Sequence, residues 1–147
     1  MSEILFKNIK ALKKQLGWFE RSFEICKPVD ISGVYSAEEF DDFETLAGRF
    51  SRSIDFLVRK VFRSLDDIEF ESQGTLIDAV NNAHKRGLFT NFEDIKSIRD
   101  LRNEIVHEYL DESLKDNFSE LLELTPRLIE IIKNTIEYSK RYYTMND

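Results

Sequence analysis

"FDDFETLAGRFSRSIDFLVRKVFRSL", Phe40 to Leu65, decides the fold class. Phe40, Phe43, Leu46, Ala47, Phe50, Ile54, Leu57, Val58, Val61, Phe62 and Leu65 recur at steps of three and four. That is the period of an α-helix with one buried face. Followed outward, the pattern predicts a helix from Ala37 to about Phe70. This exceeds the usual helix length, so a break is expected near "SLDDIEF", Ser64 to Phe70. The same helix carries Arg49, Arg52, Arg59, Lys60 and Arg63, the densest basic stretch of the chain. A solvated face is the simplest use of such a stretch, with a binding surface as the alternative.

The rest of the chain reads the same way. Ile4, Leu5, Ile9, Leu12, Leu16, Phe19, Phe23 and Ile25 predict a helix from Ser2 to Cys26, ending before Pro28. After the loop "KPVDISGVYS", Ser36 with Glu39 three residues on matches a capping box. "ESQGT" is a turn around Gly74, Thr75 caps a short helix from Leu76 to Lys85, and Gly87 holds the C-cap position. A fourth helix is expected from about Phe92 to Leu110. The last runs from about Leu114 to Tyr143 and carries Phe118, Leu121, Leu122, Leu128, Ile131, Ile132 and Ile136. Pro126 should kink it or restart it with Thr125 as cap. The terminal "RYYTMND" reads as a fraying helix end. The sum is an all-α, up-and-down bundle of four main helices and one short one.

Composition agrees. The 147 residues suit one domain, 1–147, and only 5 glycines and 2 prolines leave little turn material for many short strands. A single cysteine, Cys26, excludes an internal disulfide and a cysteine-based zinc site, and a reducing, cytoplasmic compartment is expected. There is no signal-peptide pattern at "MSEILFKNIK" and no apolar run long enough for a membrane span. No P-loop, dinucleotide fingerprint or metal-binding motif occurs, so neither cofactor nor metal is expected. The net charge of −7 counts against an extended nucleic-acid groove, and any basic site must be local or created by assembly.

"RNEIVHEY", Arg102 to Tyr109, holds one of the two histidines. At about 100° per residue, Ile95, Ile98, Leu101, Ile105, Val106 and Tyr109 share one apolar arc, and Arg102 falls inside it. That arginine must reach a buried partner, snorkel to an edge or face another subunit. His107 lies about 140° round from Arg102 and shares a face with Asn103. The two could line one cleft at a corner, or two copies of the helix could pool their side chains. Histidine is a ready general acid or base near neutrality, and arginine is a bidentate phosphate ligand. With asparagine they are parts for RNA cleavage without metal: a base for the 2′-hydroxyl, an acid for the leaving 5′-oxygen and a cation for the phosphate. On residue types alone, a structural Arg–His pair is the commoner outcome.

The octapeptide resembles the Arg-x4-His motif of the HEPN superfamily, in the Arg-Asn-x3-His-x-Tyr form of HepT-type toxins and nucleotidyltransferase substrate-binding proteins. "LAGRFSRSIDFLVRKVF" resembles the Arg-Phe helix of the substrate-binding branch, and "LIDAVNNAHKRGLF" resembles its following short helix. The resemblance covers most of Phe43 to about Tyr109. It implies a bundle that dimerises through its motif helix. In many members it also implies an RNase toxin restrained by a minimal nucleotidyltransferase antitoxin. Arg102 and His107 take the catalytic positions and Asn103 the supporting one. Tyr109 matches the tyrosine that such partners modify with AMP, which would place negative charge where an RNA phosphate should sit. Arg49 matches a recurring family position and is expected in a structural ion pair or at a partner interface. Glu104, Glu108, Asp111 and Glu112 depart from a welcoming field for RNA.

Three functions follow as expectations: a homodimeric HepT-like endoribonuclease, a non-catalytic nucleotide- or substrate-binding subunit of a nucleotidyltransferase, or a helical interaction module with Arg102 as a structural ion-pair partner. His84 reads as a dipole-favoured helix end, and Trp18 and Phe19 as core or dimer packing.

Overall fold

A computed structural model describes residues 3–69, 74–108 and 116–143. Helix α1 spans Glu3–Cys26 and α2 spans Ala37–Phe56. A π-helical segment, Leu57–Phe62, joins α2 to α3, Arg63–Ile68. Then follow α4 (Leu76–Lys85), α5 (Phe92–Glu108) and α6 (Phe118–Tyr142). Among the described residues there is no strand, and no helix is long and apolar enough to cross a membrane.

Four helices form a ring in which α1 packs on α2, α2 on α5, α5 on α6 and α6 on α1. Neighbours run antiparallel. Arg49 of α2 meets Ser22 of α1 while Ser64 meets Asn8, and Asp55 meets Arg102 while Ala47 lies beside Val106. The all-α, up-and-down architecture expected from the periodicity is thus the one formed. Short α4 caps one end against the π segment and α3.

Local chemistry sets the helix ends. Ser36 Oγ accepts from Glu39 N, and the Glu39 carboxylate accepts from Ser36 N; Thr75 and Asp78 make the same reciprocal pair before α4. Helix α4 ends in a Schellman arrangement, Leu88 N donating to Ala83 O and Gly87 N to His84 O. Gly87 sits there at φ 79°, a conformation that glycine adopts without steric cost.

The core runs through all four ring helices and contains Phe19, Phe43, Phe50, Phe62 and Phe118, all fully buried. Phe43 and Phe118 stack with centroids 4.2 Å apart, and Tyr35 meets Phe118 edge-on at 5.2 Å. Each such ring contributes about 1.5–3 kcal/mol through burial.

Three expectations need correction. The long helix changes before Ser64, where it widens into the π segment, and then continues as helix until it ends at Ile68. The carbonyl of Lys60 in that widened turn accepts from Asn8 Nδ2 and Ser64 Oγ, so side chains satisfy a group that the bulge displaces. Helix α6 neither restarts at Pro126 nor uses Thr125 as a cap, because Thr125 Oγ1 donates back to Leu121 O. Buried Leu121, Leu124, Leu128 and Ile131 on both sides of the proline hold the helix together, and their burial outweighs a cost of about 3 kcal/mol. Finally, Phe19 is core, whereas the 56% exposure of Trp18 excludes the core half of its expected role within one chain, and Val106 is 43% exposed despite its place in the apolar arc.

Candidate functional site

Helix α5 buries Ile95, Ile98, Leu101 and Ile105, and this orients the polar residues between them. Arg102 points toward α2, where its Nε and Nη2 donate to Asp55 Oδ2 at 3.2 and 2.8 Å. The pair is only part-buried, with side chains 26% and 35% exposed. Arg102 thus has a partner within the chain, but one at the part-exposed edge of the helix and not the buried partner that is the first of its expected fates. Arg102 Nη1 also donates to Asn103 Oδ1 at 3.3 Å.

A cleft of about 40 Å³ opens at this point, lined by Asp55, Arg59, Arg99, Arg102 and Asn103. Three arginines and one carboxylate residue therefore line the cleft, in a chain of net charge −7. Neither Arg59 nor Arg99 makes an ion pair among the described residues. Such a cleft has room for a water or a phosphate oxygen, not for a ring. Its charge suits a phosphate.

The acidic residues gather elsewhere. Burial raises the carboxyl of Glu120 on α6 above its ordinary range, and the negative charges of Glu104, Glu123 and Asp100 add to the effect. Glu104 is thus near enough to α6 to act on Glu120. Glu108, Asp111 and Glu112 lie outside the described side chains.

His107 is exposed, further along α5, and makes no contact with Arg102. Within one chain the structure brings together Arg102, Asn103 and Asp55 but not His107. Tyr109 lies outside the described residues. His84, in the last turn of α4, lies against Phe92 at 4.2 Å, with Nε2 3.3 Å from Thr90 O. Its role there is local.

Arg49 is a structural contact of a different kind from the expected ion pair. Its Nη1 donates to Trp18 O at 2.9 Å and to Ser22 Oγ at 2.6 Å, and the guanidinium lies 5.4 Å from the Trp18 ring. These acceptors are neutral, so the arginine joins α1 to α2 while keeping its charge uncompensated.

Two features escaped the sequence. One is the Asp55–Arg99 surround of Arg102; the i, i+3, i+4 spacing of Arg99, Arg102 and Asn103 was the available clue. The other is a network around Arg86, whose Nε donates to Glu69 and Nη2 to Asp66 at 2.8 and 2.7 Å. Glu69 also accepts from the hydroxyls of Tyr138 and Tyr143 on α6. Burial opposes the charge on Glu69, but hydrogen bonds from Tyr143, Arg86 and Tyr138 hold its carboxyl below the ordinary range. Burial and the bond to Glu69 push the Tyr138 phenol up to about 12. The network ties the ends of α3 and α4 to the last turn of α6.

Burial lifts the Cys26 thiol to about 11, so it is not a nucleophile near neutrality. No group of three or more His, Cys, Asp or Glu among the described residues is arranged to hold a metal ion. No family model, curated protein or solved structure matches this chain.

Proposed function

We propose that this chain is a HepT-like endoribonuclease of the HEPN superfamily, working as a homodimer and restrained by a minimal nucleotidyltransferase antitoxin. One observation carries the reading: the arginine of the Arg-x4-His motif lines, with Asn103, a cleft bordered by three arginines and a single carboxylate residue. A scissile phosphate that places one oxygen in that cleft competes with Asp55 for Arg102, and Arg59 and Arg99 add to the charge that stabilises it.

The chemistry is a transesterification. A histidine takes the proton of the 2′-hydroxyl, the 2′-oxygen bonds to phosphorus, and the 5′-oxygen leaves with a proton supplied by a second acid. The products are a 2′,3′-cyclic phosphate and a free 5′-hydroxyl. His107 makes no hydrogen bond to Arg102 of its own chain, so a second copy of α5 across a two-fold axis brings its His107 to the first copy's Arg102, and water is the acid that protonates the leaving oxygen. AMP on Tyr109 would silence the site by adding negative charge beside it.

The test is cleavage of single-stranded RNA by purified, unmodified protein in EDTA, with His107→Ala as control. Cleavage by wild type and its loss in the variant support the reading; intact RNA with folded wild type defeats it.

A second reading has its own observation. Asp55 already neutralises Arg102, and His107 has no described partner to orient it. Both suit a non-catalytic subunit that presents a nucleotide to a nucleotidyltransferase. That reading requires binding without cleavage.

A further inference from the structure

The half-exposed Trp18 is not used by the site above, and it lies at the end of a continuous path leading there. A depression of about 290 Å³ between α1 and α2 is lined by Trp18, Arg49, Arg52 and Ser53. A second, of about 340 Å³ between α2 and α5, is lined by Gly48, Ser51, Arg52, Asp55 and Val106. The third is the arginine cleft at Arg102. Arg52 borders the first two and Asp55 the last two, so the depressions adjoin. Arg52 makes no ion pair among the described residues. From Arg52 to Arg59 the helix rises about 10 Å.

We propose that Trp18, Arg52 and the Arg59–Arg99–Arg102 cleft form one track for single-stranded RNA, with Trp18 stacking a base upstream or downstream of the phosphate held at Arg102. This rests on the reading that the Arg102 cleft binds RNA, and adds how the strand is held. An exposed aromatic ring beside uncompensated arginines is the combination that binds single strands without reading sequence. Arg49 lies against the indole and adds positive charge under the base. The carboxylates on the path are Glu44 and Asp55, and Asp55 is paired to Arg102. A duplex cannot splay a base onto Trp18, so the track selects single strands.

Trp18 is the chain's one tryptophan, which makes it the probe. The full-length protein is titrated with a fluorescein-labelled oligoadenylate carrying 2′-O-methyl groups, which cannot be cleaved by 2′-oxygen attack. Anisotropy reports binding, and tryptophan emission of the unlabelled mixture reports stacking. Saturable quenching is expected at the concentrations where anisotropy rises. Trp18→Ala should weaken binding about tenfold, and Arg52→Ala should flatten the dependence of log affinity on log salt by about 0.7. Circular dichroism verifies that both variants fold. Binding without quenching, unchanged in both variants but lost in Arg102→Ala, overturns the track and leaves the Arg102 site standing. No binding by wild type overturns both.

Discussion

Arg102 donates two hydrogen bonds to a single oxygen, Asp55 Oδ2, and leaves the other carboxylate oxygen out of the pair. The guanidinium is therefore held in place by α2 without being fully consumed. The contact is also part-exposed, so screening keeps its worth small. Arg102→Ala should accordingly cost no more than about 1 kcal/mol in a urea melt. Loss of the fold would instead mark Arg102 as a structural ion-pair partner and nothing more. Asp55→Asn should raise RNA affinity several-fold at low salt, because it removes the carboxylate that competes with phosphate. Unchanged or weaker binding in that variant would contradict the competition.

The Glu69 network makes stability depend on pH with a definite sign. The folded carboxyl titrates below its ordinary value of 4.5. Its contribution is therefore complete above that value and is lost as the pH falls through the lower, folded one. At neutral pH Glu69→Gln should cost about 3 kcal/mol, because the buried Arg86 loses a charged partner. The gap between wild type and variant should close as the pH falls through the lowered value of the folded carboxyl. A gap of constant size across an acid series of thermal melts would show that the charge on Glu69 contributes nothing.

Phe118 opens α6 and stacks on Phe43 of α2 with no exposure to solvent. Phe118→Ala should cost about 3–5 kcal/mol by loss of burial and the cavity left behind. Trp18→Ala, at an exposed position, should stay within about 0.5 kcal/mol. Chemical denaturation of the two variants side by side checks the contrast. Similar losses would mean that Trp18 is packed after all.

What could be read from the sequence was what short-range chemistry decides. Thr75 and Gly87 fix the ends of α4 within a few residues of themselves, and Ser36 with Glu39 does the same for α2. The place of Arg102 in an apolar arc was legible as a demand for a partner. The partner was not, since Asp55 lies 47 residues away and no local pattern links them. The same holds for Arg86 with Glu69 and Tyr143. A restart at Pro126 did not follow because helix-breaking is a local cost, whereas the apolar residues that hold α6 together pack against other helices. Trp18 stands outside the periodic apolar series of its helix, and its neighbour Phe19 takes the core position. The π segment shifts the phase of the long helix, which no periodic template anticipates.

The central claim is a shared RNA-cleaving site, with Arg102 from one copy serving His107 from the other. Mixing Arg102→Ala and His107→Ala proteins after subunit exchange tests it most directly. Each variant alone should leave a single-stranded RNA intact. Their equimolar mixture should regain about a quarter of wild-type activity, since half the dimers are mixed and each carries one complete site. The RNA fragments should end in a 2′,3′-cyclic phosphate. No recovery in the mixture, with wild type active, would contradict the shared site; intact RNA with wild type as well would contradict the enzyme.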